Sequence, residues 1–188
     1  MKLTDNEIAK ILEDIVILVD TREQKNEHIM KYLHDNEIPY EWEKQETADY
    51  TFRLPHYPQL NLDRKFLVEK KNSLDEIAGN FTRDRDRFHR EFQRVGADQT
   101  MHVVVENATW KKIMNGSYRS KLHPKSMVAS MLSFSIRYNC PVWFVGVDES
   151  PMLIYNLLRY QLMERLKEMR EHGSGQGNTT QEGAQETV

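Results

Sequence analysis

Apolar positions along the chain fall into runs whose spacing switches between helical and extended periods. Thr4-Asp5-Asn6-Glu7 has the form of a capping box and opens a short helix with Ile8, Ile11 and Leu12 on one face. Ile15 to Val19 is a continuous aliphatic run ending at Asp20, as in a strand buried on both faces. Ile29, Met30 and Leu33 set a helix between Gln24 and Asn36, whereas Ile38 to Glu43 alternates like a half-buried strand. Asp49 to Leu54 repeats that alternation, a loop with Pro55 and Pro58 follows, and Lys65 to Lys70 reads as a core strand. Ser73 to about Val95 is helical in pattern, with a break or bend expected at the charge run Arg83-Asp84-Arg85-Asp86-Arg87. Met101 to Val105 predicts a strand, Trp110 to Met114 a short helix stopped by Asn115-Gly116, and Pro124 the first turn of a helix reaching Tyr138. Pro141 to Val147 is the last core strand. A terminal helix from Pro151 to about Glu171 carries Leu158, Leu162, Leu166 and Met169 on one stripe and ends at Gly173.

Strands interleaved with helices predict an α/β domain over residues 1–172. The three strands between Ile38 and Lys70 read as a local meander, so the sheet should be mixed. Residues 173–188, rich in Gly, Ser, Thr and Gln, read as a disordered polar tail.

Composition narrows the function classes. The 188 residues are 39% hydrophobic and 10% aromatic, enough for a sizeable core. No apolar run approaches a membrane span, and the N-terminus shows no secretory pattern, so no membrane partner is expected. Cys140 is the single cysteine, which excludes an internal disulfide and a cysteine zinc cluster and suits a reducing, intracellular compartment. The seven histidines show neither HxxxH nor HExxH spacing, which argues against a zinc hydrolase.

The net charge of −3 hides a gradient. Residues 1–50 carry 6 Lys/Arg against 13 Asp/Glu, whereas residues 101–150 carry 6 against 3. From Asn107 to Val147 there is no acid, while Lys111, Lys112, Arg119, Lys121, Lys125 and Arg137 are basic. Such a run is either a solvated surface or one that faces phosphates, because neutralising a nucleic-acid backbone requires locally clustered cations rather than a basic average.

The candidate chemistry lies where acids end apolar strands. Asp20 closes ILVD, Asp49 opens DYTF, and Glu69 closes FLVE with Lys70 and Lys71 directly after it. Each acid alone is unremarkable at a solvated strand end. Brought together, such carboxylates repel and raise one another's pKa unless a cation neutralises them, and a hard divalent ion such as Mg²⁺ prefers oxygen ligands. Strand alternation puts Glu69 and Lys71 on one face and Lys70 on the other, so a carboxylate and an ammonium can address one phosphate.

The longer string is more specific. VDTRE (19–23), ADY (48–50) and VEKKNSLDEI (68–77) together resemble the ERCC4 nuclease domain of the XPF/Mus81 family. Its core motif is GD, a variable gap, then ERK, three residues and Asp. Here it reads Ala48-Asp49, a gap, Glu69-Lys70-Lys71, Asn72-Ser73-Leu74 and Asp75. Arg87-Phe88 with Arg90 and Arg94 is similar to the basic helix after the motif. Two positions depart from it: Ala48 stands for the glycine, which strains the chain if φ is positive there, and Lys70 stands for the arginine.

The resemblance implies a restriction-endonuclease-like, PD-(D/E)XK mixed central sheet flanked by helices. It also implies Mg²⁺- or Mn²⁺-dependent cleavage of DNA, typically branched, flapped or forked. On these positions it makes Asp49 and Glu69 the principal metal ligands, Asp20 and Glu23 the rest of the acidic cluster, and Lys71 the group beside the nucleophilic water. Arg22, Lys70 and Asp75 would support them. Arg22 would contact a phosphate or pair with an acid, and Asp75 would hold basic residues or hydrate the metal. DNA contacts are expected from Arg83, Arg87, Arg90, Lys111, Lys112, Tyr118, Arg119, Lys121 and Lys125.

Of three aromatics able to stack on unpaired bases (Trp110, Tyr118 and Trp143), Trp143 reads as core packing and Tyr118 as the better candidate. The late helices also imply a possible homodimer. Without the accompanying domains usual in the family, the chain reads as a compact stand-alone nuclease of a prokaryote, a virus or a phage, active in the cytoplasm or nucleoid. Its selectivity would come from dimerisation, a partner, or the loops at 55–63 and 115–124. The competing readings are a catalytically silent DNA-binding subunit and a restriction- or recombination-type nuclease of the same fold.

Overall fold

The computed structural model describes residues 3–175. Six strands form one mixed sheet: β1 (Val16–Val19), β2 (Tyr40–Trp42), β3 (Tyr50–Arg53), β4 (Phe66–Lys71), β5 (Thr100–Glu106) and β6 (Val142–Val145). Their order is β2-β1-β3-β4-β5-β6, with β1–β3 and β3–β4 antiparallel and the other pairs parallel. The helices are α1 (Asp5–Glu13), α2 (Glu27–Asp35), α3 (Leu74–Phe81), α4 (Arg85–Gln93), α5 (Trp110–Met114), α6 (Pro124–Tyr138) and α7 (Ser150–Gly175). This is the mixed α/β architecture that the pattern predicts, in the restriction-endonuclease-like form that the resemblance implies.

Local sequence explains most boundaries. Thr4 and Glu7 close a complete capping box on α1. The Ser73 hydroxyl accepts the Glu76 N–H to start α3, and Pro124 occupies the first turn of α6. The block 73–95 breaks between Phe81 and Arg85, where the backbone leaves helical geometry at Thr82.

The core has two layers. Ile17, Val19, Tyr50, Phe52, Phe66, Val68 and Val104 pack with α1, α2 and the Leu158, Leu162 and Leu166 stripe of α7. Leu67, Met101, Val103 and Val105 face the other way, onto α3 to α6. Strand alternation assigns each residue of β4 to one layer or the other. Leu67, Glu69 and Lys71 therefore point to the α3–α6 side, and Phe66, Val68 and Lys70 to the α7 side.

Three features correct the sequence expectations. The strand at 40–42 does not join a meander with β3. α2 carries the chain back across the sheet, so β2 enters parallel to β1 and β3 takes the opposite side of β1. As a three-residue edge strand, β2 is exposed throughout rather than half-buried. Trp143, expected as packing, lies on the other edge strand at 40% exposure, where its Nε1 donates to His102 Nδ1 at 2.8 Å. Finally, α7 runs through Gly173 to Gly175. The proposed tail from 176 onward lies outside the described residues. No helix among the described residues is long and apolar enough to cross a membrane.

Candidate active site

Sheet hydrogen bonding gathers the motif. The Asp20 N–H donates to Asp49 O at 2.8 Å, and the Asp49 N–H donates to Val68 O at 3.1 Å, so the ends of β1, β3 and β4 lie side by side. Asp20, Asp49, Glu69 and Lys71 line one open cleft of about 450 Å³. Arg22, Glu46 and Ala48 share it, and α4 closes it with Arg87, Glu91 and the C-cap residue Arg94. Spaced at i, i+4 and i+7, those three α4 residues occupy one helix face. That spacing was readable in the sequence. Which face meets the sheet was not, and Glu91 and Glu46 had no motif to mark them.

Asp49 and Glu69 are the electrostatic centre. Burial pushes the Asp49 carboxyl well above its usual range, and the neighbouring charges of Glu69 and Glu23 push the same way. Burial likewise raises Glu69 to about 7, against the opposing pull of Lys71. The Asp49 Oδ2 accepts the Lys70 backbone N–H at 2.7 Å, which fixes the carboxyl at the strand end. Lys71 Nζ ion-pairs with Glu69, lies 3.8 Å from Glu76 Oε1 and sits over the Phe88 ring. Burial works against its charge, but Glu69 and Asp49 outweigh burial and raise its pKa. Lys71 is thus a fixed positive charge at neutral pH, suited to stabilising an anion and not to accepting a proton.

The other anticipated residues divide. Asp20 is held by Arg22, whose backbone N–H donates at 2.8 Å and whose Nε donates at 3.0 Å to the same Oδ1, while Nη2 also reaches Gln45 O at 2.7 Å. Burial raises the Asp20 pKa, and these bonds outweigh it and hold the carboxyl below its usual range. Arg22 therefore pairs with an acid, yet most of its side chain stays exposed in the cleft.

Glu23 turns away from the cleft to the opposite face of the sheet, 2.9 Å from Lys70 Nζ. Among the described residues, no three His, Cys, Asp or Glu side chains are arranged to hold a metal ion. The acids of the motif thus share a neighbourhood: Arg22 pairs with Asp20, Lys70 with Glu23 and Lys71 with Glu69, while Asp49 enters no salt bridge among the described residues and feels the charge of Glu69. Ala48 takes φ 66°, the left-handed region in which a non-glycine residue costs about 1 kcal/mol. The chain carries that strain next to Asp49.

Asp75 holds one basic residue, Arg119, and the serine after it: Oδ1 accepts the Arg119 and Ser120 N–H groups at 2.6 and 3.1 Å, and Oδ2 accepts Arg119 Nε at 3.1 Å. This tether ties the 115–124 loop to the start of α3, four residues after Lys71. Tyr118, the preferred stacking candidate, is instead packed on the α3–α6 core layer, with its hydroxyl donating to Leu122 O at 2.7 Å. Trp110 is the more exposed aromatic, at 47%, beside Lys111 and Lys112. Of the basic residues, Arg87 lines the cleft, Arg83 pairs with Asp84 at 2.9 Å, and Lys112 Nζ donates to Asn107 O at 2.7 Å. Arg90, Lys111, Lys121 and Lys125 are exposed and do not line the cleft.

Comparison with known proteins bears on the fold and the family of the chain. The ERCC4 domain profile matches residues 19–157. No curated protein matches the sequence. Among solved structures, XPF from Aeropyrum pernix superposes with a TM-score of 0.58 at 19% identity, over 84% of this chain and 69% of that one. The same protein in complex with DNA gives 0.56 at 18% identity, over 78% of this chain and 64% of that one. At these identities the likeness is one of fold. The profile match spans most of the sequence and includes every strand-end acid discussed above, and on that ground the chain belongs to the ERCC4 domain family.

Proposed function

We propose that this protein is a divalent-metal-dependent DNA endonuclease that hydrolyses phosphodiester bonds in branched, flapped or forked DNA. One observation carries the reading. Two carboxylates with raised pKa values, the part-buried Asp49 and the buried Glu69, share a cleft with a charged lysine and three arginines, and the Glu69 charge adds to the rise at Asp49.

The donor set fits Mg²⁺ or Mn²⁺. Both acids offer hard oxygen ligands, a cation would relieve the Glu69 charge felt at Asp49, and Mg²⁺ typically takes one or two carboxylates and keeps its remaining waters. Asp49 and Glu69 would hold the ion, with Asp20 within the same cleft. When bound, it would polarise a phosphoryl oxygen and acidify a coordinated water. Lys71 supplies a positive charge for the phosphate, and Arg22, Arg87 and Arg94 line the approach of a polyanion. The DNA complex of the Aeropyrum pernix XPF supports nucleic acid as the substrate. Homodimerisation has support of another kind: Leu132 and Ile136 lie one turn apart on α6 at 49% and 81% exposure.

The test is a cleavage panel with Mg²⁺ or Mn²⁺ and labelled fork, flap, four-way-junction and linear duplex DNA. Nicks near the branch point are expected with either ion and none in EDTA. Cleavage at defined sequences, or processive loss of ends, would replace structure-specific nicking with a restriction- or recombination-type activity. Salt-sensitive binding with no cleavage of any substrate would leave a silent DNA-binding subunit.

A further inference from the structure

α4 has a second charged face. Arg87, Glu91 and Arg94 meet the active-site cleft, whereas Arg85 and His89 point to the opposite side of the helix. There, between α4 and α6, lies a depression of about 220 Å³. Arg85 and His89 form one wall, and Ser130, Ser133 and Arg137, on one face of α6, form the other. The floor is aromatic, with the Phe81 and Phe134 rings 5.8 Å apart. The volume would hold about seven waters, enough for a phosphate group with its ester arms.

Two guanidiniums share this small space. Among the described residues neither Arg85 nor Arg137 enters a salt bridge, in contrast to Arg22, Arg83 and Arg119. Both charges are felt at His89, whose pKa is lowered first by burial and then by Arg85 and Arg137. Asp86 opposes them and does not line the pocket. His89 is itself engaged, its Nδ1 lying 2.6 Å from the Tyr138 hydroxyl. What remains available is a pair of planar five-donor forks and two serine hydroxyls, a donor set matched to the oxygens of a phosphate.

We infer that the Arg85–Arg137 pocket is a phosphate subsite, which seats a backbone phosphate of the DNA whose scissile bond lies in the Asp49–Glu69 cleft. The inference rests on the nuclease reading and extends it. One helix diameter, about 10–12 Å, separates the two faces of α4, so a strand held at both would straddle that helix. The second grip would set the register in which the strand meets Lys71.

The experiment measures binding of labelled fork DNA in EDTA by fluorescence anisotropy over a salt series, for the parent chain and for Arg85→Gln/Arg137→Gln. Both side chains are exposed, so the fold should tolerate the change. The double variant should bind about ten-fold more weakly, with the slope of log K against log salt reduced by about one, since each lost phosphate contact removes about 0.9. Arg85→Lys/Arg137→Lys should recover part of the slope but not the full affinity, having the charge without the fork.

A second arm titrates inorganic phosphate into both proteins by calorimetry. Saturable binding by the parent, lost in the glutamine variant, supports a phosphate site. If the parent binds DNA and the glutamine variant matches its affinity and slope, the inference is overturned while the nuclease reading stands. This holds even if free phosphate binds, since the pocket then serves a small ligand. If the parent binds no DNA, the nuclease reading fails first, and absence of phosphate binding in the second arm would overturn the pocket as well.

Discussion

Asp49→Asn is expected to lower DNA cleavage by at least about 10²–10³-fold in kcat, while leaving the metal-free protein as stable as the parent or more so. The two effects share one cause. The part-buried Asp49 carboxyl is desolvated and lies within the fields of Glu69 and Glu23, and these raise its pKa well above the ordinary value. Asparagine keeps an oxygen that can accept the Lys70 N–H and removes the charge that a cation would need.

The sign of the pH effect follows from linkage. A carboxyl whose folded pKa exceeds its unfolded value stabilises the fold at low pH, and that contribution is lost as pH rises through the folded pKa. The variant should therefore gain on the parent as pH is raised above 3.8, reaching an advantage of about 1–2 kcal/mol at alkaline pH. Adding Mg²⁺ should raise the melting temperature of the parent and not that of the variant. Urea denaturation at pH 5 and 8, with and without Mg²⁺, reads this directly. A variant that still cuts branched DNA would remove Asp49 from the site, and with it the proposed chemistry.

Lys70→Met is expected to be the most damaging single change to stability, costing about 3–5 kcal/mol and lowering the melting temperature by about 10 °C. The Lys70 side chain is fully buried on the α7 side of the sheet, where Nζ lies 2.9 Å from Glu23 Oε1 and 4.0 Å from Glu106 Oε2 and donates to Asn72 Oδ1 at 2.7 Å. Glu106 in turn accepts the Ser150 hydroxyl at 2.6 Å and lies 2.7 Å from His28 Nε2. Methionine fits the volume but leaves Glu23 and Glu106 as buried charges without their ammonium. If that is the cause, Lys70→Met/Glu23→Gln should recover more than 1 kcal/mol relative to the sum of the single changes. The Lys70 backbone N–H still meets Asp49, so the folded fraction of Lys70→Met should cleave far better than Asp49→Asn. A loss below about 1 kcal/mol, or strict additivity, would show that the network is not structural.

These two residues also mark how far the sequence could be read. Alternation alone placed Glu69 and Lys71 on one face of β4 and Lys70 on the other, because successive side chains of any strand point to opposite sides. Capping residues and Pro124 likewise placed helix starts, and the charge run at 83–87 marked the break between α3 and α4. The motif through Asp20, Asp49 and Glu69 marked the cleft itself. Apart from that motif, which was legible through the family resemblance, such signals are local: a backbone bond, a helical turn or a strand pleat is enough to produce them.

What only the tertiary structure decided is which groups answer each other across the sheet. Glu23 was placed with the acidic cluster and instead turns to Lys70, since a buried ammonium on the far face offers it a partner that a crowded cleft of carboxylates does not. Asp75 binds the backbone of the 119–120 loop, β2 lies outside β1, and one face of α4 closes the cleft while the other joins α6. None of these is encoded in a window of neighbouring residues. They depend on strand order and on competition among distant charges for the same counter-ion, which exist only once the chain has packed.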